Sequence, residues 1–384
     1  MNLPVSWSFQ RLDQIADLSR GKFSARPRND PRFFGGDVPF VQTGDVRNAH
    51  VYLRDFSQTL NSVGVKVSRV FPRGTMLFTI AANIGDLAFL SFSAACPDSV
   101  VAIEPKQGTD ERWLFYQLSV LKADFEAAAT QNAQLNINLE KLNPFKMPVP
   151  PLNEQQAIAA ALSDADGVVA GLERLIAKKR LIKQGAMQDL LTARRRLPGF
   201  SGEWEVYQIS ELERRGNVRL GRGRVISKVD IAAAPGHFPI YSSSALNDGL
   251  FGNFGRYDFD EELITWSIDG GGYFFHRPKH KFSVTNVCGF LRVIDGSLDY
   301  RFLAEALKAA RMGMKFDYQD KAHPSVVRGA YRIPIPNLGE QIAVAKIAAD
   351  MDEEIQTLEA RLTKARAVKE GMMQNLLTGR VRLV

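Results

Sequence analysis

Asp98, Glu104 and Lys106 stand in the carboxylate–carboxylate–lysine order that metal-dependent nucleases use. Such a site needs its acids on neighbouring strands, so that both reach one Mg²⁺. Here the two acids flank a single apolar run, Ser99-Val100-Val101-Ala102-Ile103, and Pro105 follows the second. The spacing therefore predicts one buried strand with an acid at each end. The five histidines, His50, His237, His276, His280 and His323, contain no HExxH pattern. His276 and His280 are four apart, but Pro278 between them forbids the helix that would align them on one metal. A GxxxxGK[ST] phosphate cradle is absent. Asn143-Pro144-Phe145 lacks the second proline of the [Asp/Asn]-Pro-Pro-[Phe/Tyr] motif of amino-methyl transfer. Cys96 and Cys288 are the only cysteines and read as reduced core thiols, too few for a disulfide framework.

Two basic stretches suit nucleic acid better. The first holds Arg20-Gly21-Lys22, then Arg26, Arg28 and Arg32; the second holds Arg214, Arg215, Arg219, Arg222, Arg224 and Lys228 with no acid among them. Interleaved Gly21, Gly221 and Gly223 are expected to let the backbone approach a phosphate, while Arg supplies charge and can grip guanine at two points. Polar loops follow each stretch: Gln42, Thr43, Asp45 and Asn48 in the first, and Tyr241, Ser242, Ser243 and Asn247 in the second. Tyr273, and the group Lys315, Tyr318 and Lys321, are similar in kind. Turn chemistry alone explains any one such loop. Their recurrence at matching places is what points to DNA.

The elements that position these loops come from a duplication. Residues 148–197 and 334–383 align at a constant offset of 186, with 23 identities in 50 positions. Each copy reads as a long helix. Asn153 is expected at the first N-cap, with Gln156 closing a capping box, and Gly339 is the weaker cap of the second copy. Ile158, Leu162, Val169, Leu172 and Ile176 fall on a 3.5-residue seam that the offset turns into Val344, Ala348, Ile355, Leu358 and Leu362, with Met351 between. The seam predicts an antiparallel coiled coil, a rod of roughly 50–60 Å at about 1.5 Å per residue. The first helix is expected to run on through Arg196. Trp7 and Trp204 open related globular regions, and Asp110 and Asp299 each open an amphipathic helix. Because the second copy ends Arg382-Leu383 and the chain begins Leu3-Pro4, the N-terminus reads as the continuation of the C-terminus, a circular repeat with approximate two-fold symmetry. The expected organisation is a first domain over 1–147, a helical region over 148–197, a second domain over 198–333 and a helical region over 334–384. The class is α+β, with two α/β domains separated by the paired helices.

Composition agrees without deciding. The chain has 384 residues, 45% hydrophobic and 24% charged, with a net charge of +7. This is ordinary for a globular protein and permits a nucleic-acid partner. Neither a signal peptide nor a membrane-length apolar run is present, so a soluble, cytoplasmic protein is expected.

The motif Pro150-Pro151-Leu152-Asn153-Glu154-Gln155 with its helix, and its second copy beginning Pro336-Asn337-Leu338-Gly339-Glu340-Gln341, closely resemble the conserved helical regions of type I restriction–modification specificity subunits. The Thr43-Gly44-Asp45 segment is a supporting match, and the likeness covers the whole chain. The resemblance implies two target-recognition domains, each reading half of a split, asymmetric double-stranded DNA site. It implies a helical rod holding them apart by about one and a half turns of duplex, and no catalysis by this chain. It also implies two methyltransferase subunits carrying S-adenosylmethionine, and restriction subunits carrying ATP and Mg²⁺, with no cofactor or metal on this chain. The alternatives are a two-headed DNA-binding protein acting alone and a specificity subunit of a related methyltransferase or nuclease complex.

Overall fold

A computed structural model describes residues 4–131, 135–314 and 321–383. The chain divides into two units, one made of Met1–Glu173 with Arg361–Val384 and the other of Arg174–Ala360. Both long helices, Leu152–Leu191 and Leu338–Leu376, therefore contribute a part to each unit.

In the first unit Ser8–Arg11 pairs antiparallel with Lys146–Val149, tying the start of the globular part to the segment that enters the first long helix. A five-stranded sheet runs in the order Ala16–Arg20, Val100–Pro105, Met76–Thr79, Leu87–Leu90, Tyr52–Leu53. Its central strands carry continuous apolar runs, Met76–Phe78, Leu87–Leu90 and Val100–Ile103, because each face has its own core. Met76, Phe78, Val101 and Ile103 face one cluster, with Trp113 and Phe125. Leu77, Val100 and Ala102 face another, with Val41 and Phe71. A strand buried on both sides reads as a continuous run because the period-2 alternation serves two apolar layers. A four-stranded sheet, Gln58–Leu60, Phe34–Phe40, Ala94–Cys96, Arg69–Phe71, lies beyond it in the chain order of contacts.

In the second unit Glu205–Gln208 pairs with Arg332–Ile335 in the same way. The six-stranded sheet has the order Val218–Arg222, Cys288–Val293, Phe259–Ser267, Phe274–Val284, Phe238–Tyr241, Leu250–Phe254. Trp266 and Phe302 anchor its main core. Asp110 and Asp299 cap their helices as expected, accepting from the backbone N–H groups of Trp113 and Phe302 respectively.

Within each unit the two long helices run antiparallel, and the duplication shows in their contacts. The first unit pairs Asp166 with Lys369 and Glu173 with Arg366, at 2.5 and 2.6 Å. The second pairs Asp352 with Lys183 and Glu359 with Arg180, at 2.7 and 2.5 Å. Adding or subtracting 186 converts one set into the other. Ile158 and Leu162 enter the first unit's core beside Leu376 and Leu377. Val344 and Ala348 enter the second unit's core beside Leu190 and Leu191. Of the remaining seam residues, Ile176 and Leu358 are buried, while Val169, Leu172, Met351, Ile355 and Leu362 are half-buried. The seam ends therefore join the globular cores as well as facing the partner helix.

The motif at each helix start has a definite job. Glu154, fully buried, takes the Arg382 guanidinium and accepts from Trp7 Nε1 at 2.9 Å. Glu340, 1% exposed, takes Arg196 at 2.6 and 2.7 Å and accepts from Trp204 Nε1 at 3.2 Å. Arg382 also donates to Ser6 Oγ at 3.0 Å, so the first and last described segments meet, as the circular repeat requires. The following glutamines act on backbone. Gln155 accepts from Asp110 N–H at 2.8 Å and donates to Pro150 O at 2.9 Å. Gln341 does the same with Asp299 and Pro336, each at 2.9 Å.

Three expectations about these helices are corrected. The first begins at Leu152, with Pro151 O accepting from Glu154 and Gln155 N–H, so Asn153 lies inside the first turn and is no cap. In the second, Asn337 rather than Gly339 caps the end, its Oδ1 accepting from Glu340 N–H at 3.0 Å. The departure from Pro-Pro-Leu thus supplies a side-chain cap instead of weakening one. The first helix also stops at Leu191 instead of reaching Arg196. Just past it Ala193 is left-handed (φ 56°), where the duplicate has Gly379 at φ 72°. Ala193→Gly should therefore raise the second unit's unfolding free energy by about 0.5–1 kcal/mol, read from denaturant melts.

Candidate nucleic-acid interface

In the second unit several loops meet that lie far apart in sequence. The Val218–Arg222 strand carries Arg222 opposite Gly289, and Arg224 just beyond it bridges Thr285. Thr285 Oγ1 donates to Ser242 Oγ at 2.9 Å, which brings in the turn after Phe238–Tyr241. Gly270 abuts the carbonyl of Ser243, so the hairpin turn containing Asp269 and Tyr273 packs on the same turn. Arg311 lies 3.5 Å above the Tyr273 ring and donates to Gly271 O at 2.6 Å, and Lys321 pairs with Asp269 at 3.2 Å. Arg224, Tyr241, Ser242, Ser243, Tyr273 and Lys321 are thereby linked, with exposed Asn247 at the rim. Arg222 is exposed and has no bonded partner among the described residues, whereas Arg224 is held by Asp258 at 3.0 Å. Arg219 stands apart, mid-strand and opposite Arg292. Lys315 and Tyr318 fall outside the described residues.

Sequence reading missed the group that organises these loops. Arg277, 5% exposed, stacks 3.6 Å from the Tyr241 ring, donates to Thr265 Oγ1 at 3.0 Å and donates to Asp248 O. Burial pulls its basicity below the usual arginine value. At the sheet's edge Glu213 receives Arg328, which holds its carboxyl below the ordinary range, and accepts from Leu220 N–H at 3.0 Å.

The first unit gathers a different set. Arg28 pairs with Asp98 at 2.7 Å, and Arg20 Nε donates to Asp98 O at 2.5 Å. Lys22 and Arg69 lie on the adjoining backbone, Lys22 N–H on Cys96 O and Arg69 N–H on Lys22 O. Arg26 donates to the carbonyls of Phe23 and Ala25. Gln42 begins the short helix Thr43–Asn48 and donates from its amide to Gln58 at 2.6 Å. Asp45 closes that helix start onto Gln42 N–H at 2.8 Å and accepts from Ser57, so its carboxylate shapes the loop. Thr43 is half-buried and Asn48 exposed. Arg47 and Asn83, neither of them anticipated, are bonded at 3.1 Å beside this loop.

The carboxylate–carboxylate–lysine set does not assemble. Asp98, in the turn before Val100–Pro105, is tied to Arg28, Glu104 is exposed near the far end of that strand, and Lys106 reaches Asp13 O and Asp17 at 2.6 and 3.2 Å. Among the described residues no three His, Cys, Asp or Glu side chains gather as metal ligands would. Cys96 and Cys288 are buried, and burial pushes both thiols up to about 12, with Asp45 adding to the rise at Cys96. The glycines have a second reason to lack side chains. A Cβ on Gly21 would strike Pro97 O, on Gly221 the Phe290 ring, and on Gly223 Val284 O. Close packing therefore requires these glycines in its own right, whatever they do toward a phosphate.

The family model of the type I restriction modification DNA specificity domain matches residues 4–179 and again 201–365. The chain belongs to that family. A Mycoplasma pneumoniae protein named as the N-terminus of a candidate type I specificity subunit is 45% identical over 89 residues, 23% of this specificity-family chain and 47% of that one. A second candidate type I specificity subunit of that organism is 30% identical over 177 residues, 45% of this chain and 62% of its own. The chain thus spans from about half to under two thirds of these curated relatives. A crystal structure of the S subunit of a type I restriction–modification system from M. genitalium has the same fold, with a TM-score of 0.65 at 17% identity over 98% of this chain and 96% of that one. No helix among the described residues is long and apolar enough to cross a membrane.

Proposed function

We propose that this chain is the DNA sequence-specificity subunit of a type I restriction–modification complex, and that each unit reads one part of a split, asymmetric site in double-stranded DNA. The carrying observation is that equivalent helix contacts, Glu154–Arg382 with Trp7 and Glu340–Arg196 with Trp204, support two loop sets that share no residues. A common scaffold beneath unlike surfaces suits two different readings of one duplex. In this reading the chain catalyses nothing and takes no cofactor. Methyl transfer with S-adenosylmethionine belongs to two methyltransferase subunits docked on it, and ATP- and Mg²⁺-dependent cleavage belongs to restriction subunits. The complex works in the cytoplasm.

The test is assembly and binding together. The full chain, mixed with the methyltransferase subunit encoded beside it, should sediment as one complex and bind duplex DNA with an affinity that falls steeply with salt. Each phosphate contact contributes about 0.9 to the slope of log affinity against log salt. Arg222→Glu should weaken that binding and lower the slope by about one contact. A chain that binds DNA but never joins a methyltransferase would support the stand-alone DNA-binding reading instead.

A further inference from the structure

Arg277 is buried in the second unit, and no carboxylate lies within ion-pair distance of it among the described residues. A desolvated guanidinium with no direct ion-pair partner is unfavourable, and the charge of nearby Asp248 offsets this at longer range while hydrogen bonds and ring contacts supply the rest. Its described partners come from three strands and one turn that meet around it. The ring of Tyr241 lies 3.6 Å from the guanidinium carbon on one side, and the Phe275 ring lies 4.8 Å from it. Nε donates to Thr265 Oγ1, itself fully buried on the adjoining strand. The second donor, Nη2, reaches Asp248 O.

That carbonyl belongs to an unusual turn. Asn247, Asp248 and Gly249 all have left-handed backbone, with φ of 51°, 50° and 75°. Two successive non-glycine residues in that region are strained and persist only when neighbours hold them. The turn's other bonds include Ser242 N–H to Gly249 O at 2.9 Å, Gly249 N–H to Leu246 O at 3.0 Å, Leu246 N–H to Ser244 Oγ at 3.0 Å and Ser244 Oγ to Leu246 O at 3.2 Å, none of which reaches Asp248. Asn247 and Asp248 are exposed there, beside the Ser242–Ser243 segment.

We propose that Arg277 is a positioning residue for DNA recognition: it clamps the Leu246–Gly249 turn from beneath, so that the sequence preference of the second unit depends on a residue that does not itself reach the DNA. This rests on the specificity-subunit reading and deepens it. Among the described residues of the first unit no buried arginine plays this part, and the loops there are held by the Arg28–Asp98 pair and by Asp45.

The experiment uses the full chain with its methyltransferase partner and a pool of randomised duplexes, sequenced after selection, alongside thermal melts. Arg277→Met keeps the stacked stem and removes the donors. Arg277→Lys keeps a charged donor, and Thr265→Val removes one anchor with little change of shape. The wild type should enrich two half-sites. With Arg277→Met the preference at one half-site should fall about tenfold, the scale of one good base contact, while the other half-site stays unchanged. Lys should restore part of the loss, and Val should give a smaller loss at the same half-site. If Arg277→Met does not fold, the Lys and Val variants carry the test. Unchanged selection in every variant that melts like the wild type overturns the clamp. So does an equal loss at both half-sites, because only one unit contains Arg277. A wild-type complex that enriches no sequence overturns the proposed function itself, and is told apart by that control.

Discussion

Glu340→Ala is expected to cost the second unit about 2–4 kcal/mol. The carboxylate is buried, and it is the shared acceptor for both Arg196 nitrogens and for the Trp204 indole. Removing it leaves a part-buried guanidinium and an indole N–H without their acceptor, a change that is strongly unfavourable for a buried ion pair. The estimate sits toward the lower end because a quarter of the Arg196 side chain remains in water, which can partly solvate it. At the size of the second unit the loss should lower that unit's melting temperature by roughly 5–10 °C. The duplication adds a sharper expectation. Glu154→Ala removes the equivalent group beside Trp7 and Arg382. Hydrogen exchange should therefore show protection falling in Arg174–Ala360 for the first variant and in Met1–Glu173 with Arg361–Val384 for the second. Protection lost uniformly through both units in either variant would show that the two clasps do not act locally.

Trp266→Ala should be as damaging and should reach the candidate DNA-binding loops directly. Trp266 is fully buried, packs on Phe274 and donates to Ala322 O at 2.7 Å. Its ring also fills the space where Gly289 lacks a side chain. Truncating a buried Trp costs about 3–5 kcal/mol. The residue sits one position before Ser267, whose N–H bonds Tyr273 O and whose Oγ accepts from Tyr273 N–H, so the base of the hairpin turn loses its support with the core. DNA binding through the second unit should disappear while the half-site read by the first is still enriched. Retention of both preferences would separate the loops from the core beneath them.

Much of the scaffold was legible in the sequence because its determinants are local or periodic. The seam from Ile158 to Ile176 and its copy, the capping aspartates Asp110 and Asp299, and the apolar run at Val100–Ile103 each announce themselves within a few residues. The helix caps were misread because Asn153 has the right type two positions too late, while a proline carbonyl and Asn337 do the work. The packing demand on Gly21, Gly221 and Gly223 was not legible because what faces a glycine depends on strand register, which joins residues some 60 or more positions apart. Arg277 was missed for the same reason. Its environment comes from Tyr241, Asp248 and Thr265, which no spacing rule places together. Among the candidate DNA contacts, Arg224, Arg26 and Asp45 lie where the loops were expected, but each already has partners inside the protein.

The two glutamines that follow the buried glutamates, Gln155 and Gln341, touch only main-chain groups of the globular parts: the N–H of Asp110 or Asp299 and the carbonyl of Pro150 or Pro336. A joint made to the peptide backbone is indifferent to the side chains around it. The coupling therefore tolerates wholesale rewriting of the surface it carries, provided that the new domain ends in an extended proline-containing strand and opens its helix at the same height. One fastening can in this way accept heads of unrelated sequence, as the two unlike halves of this chain already illustrate.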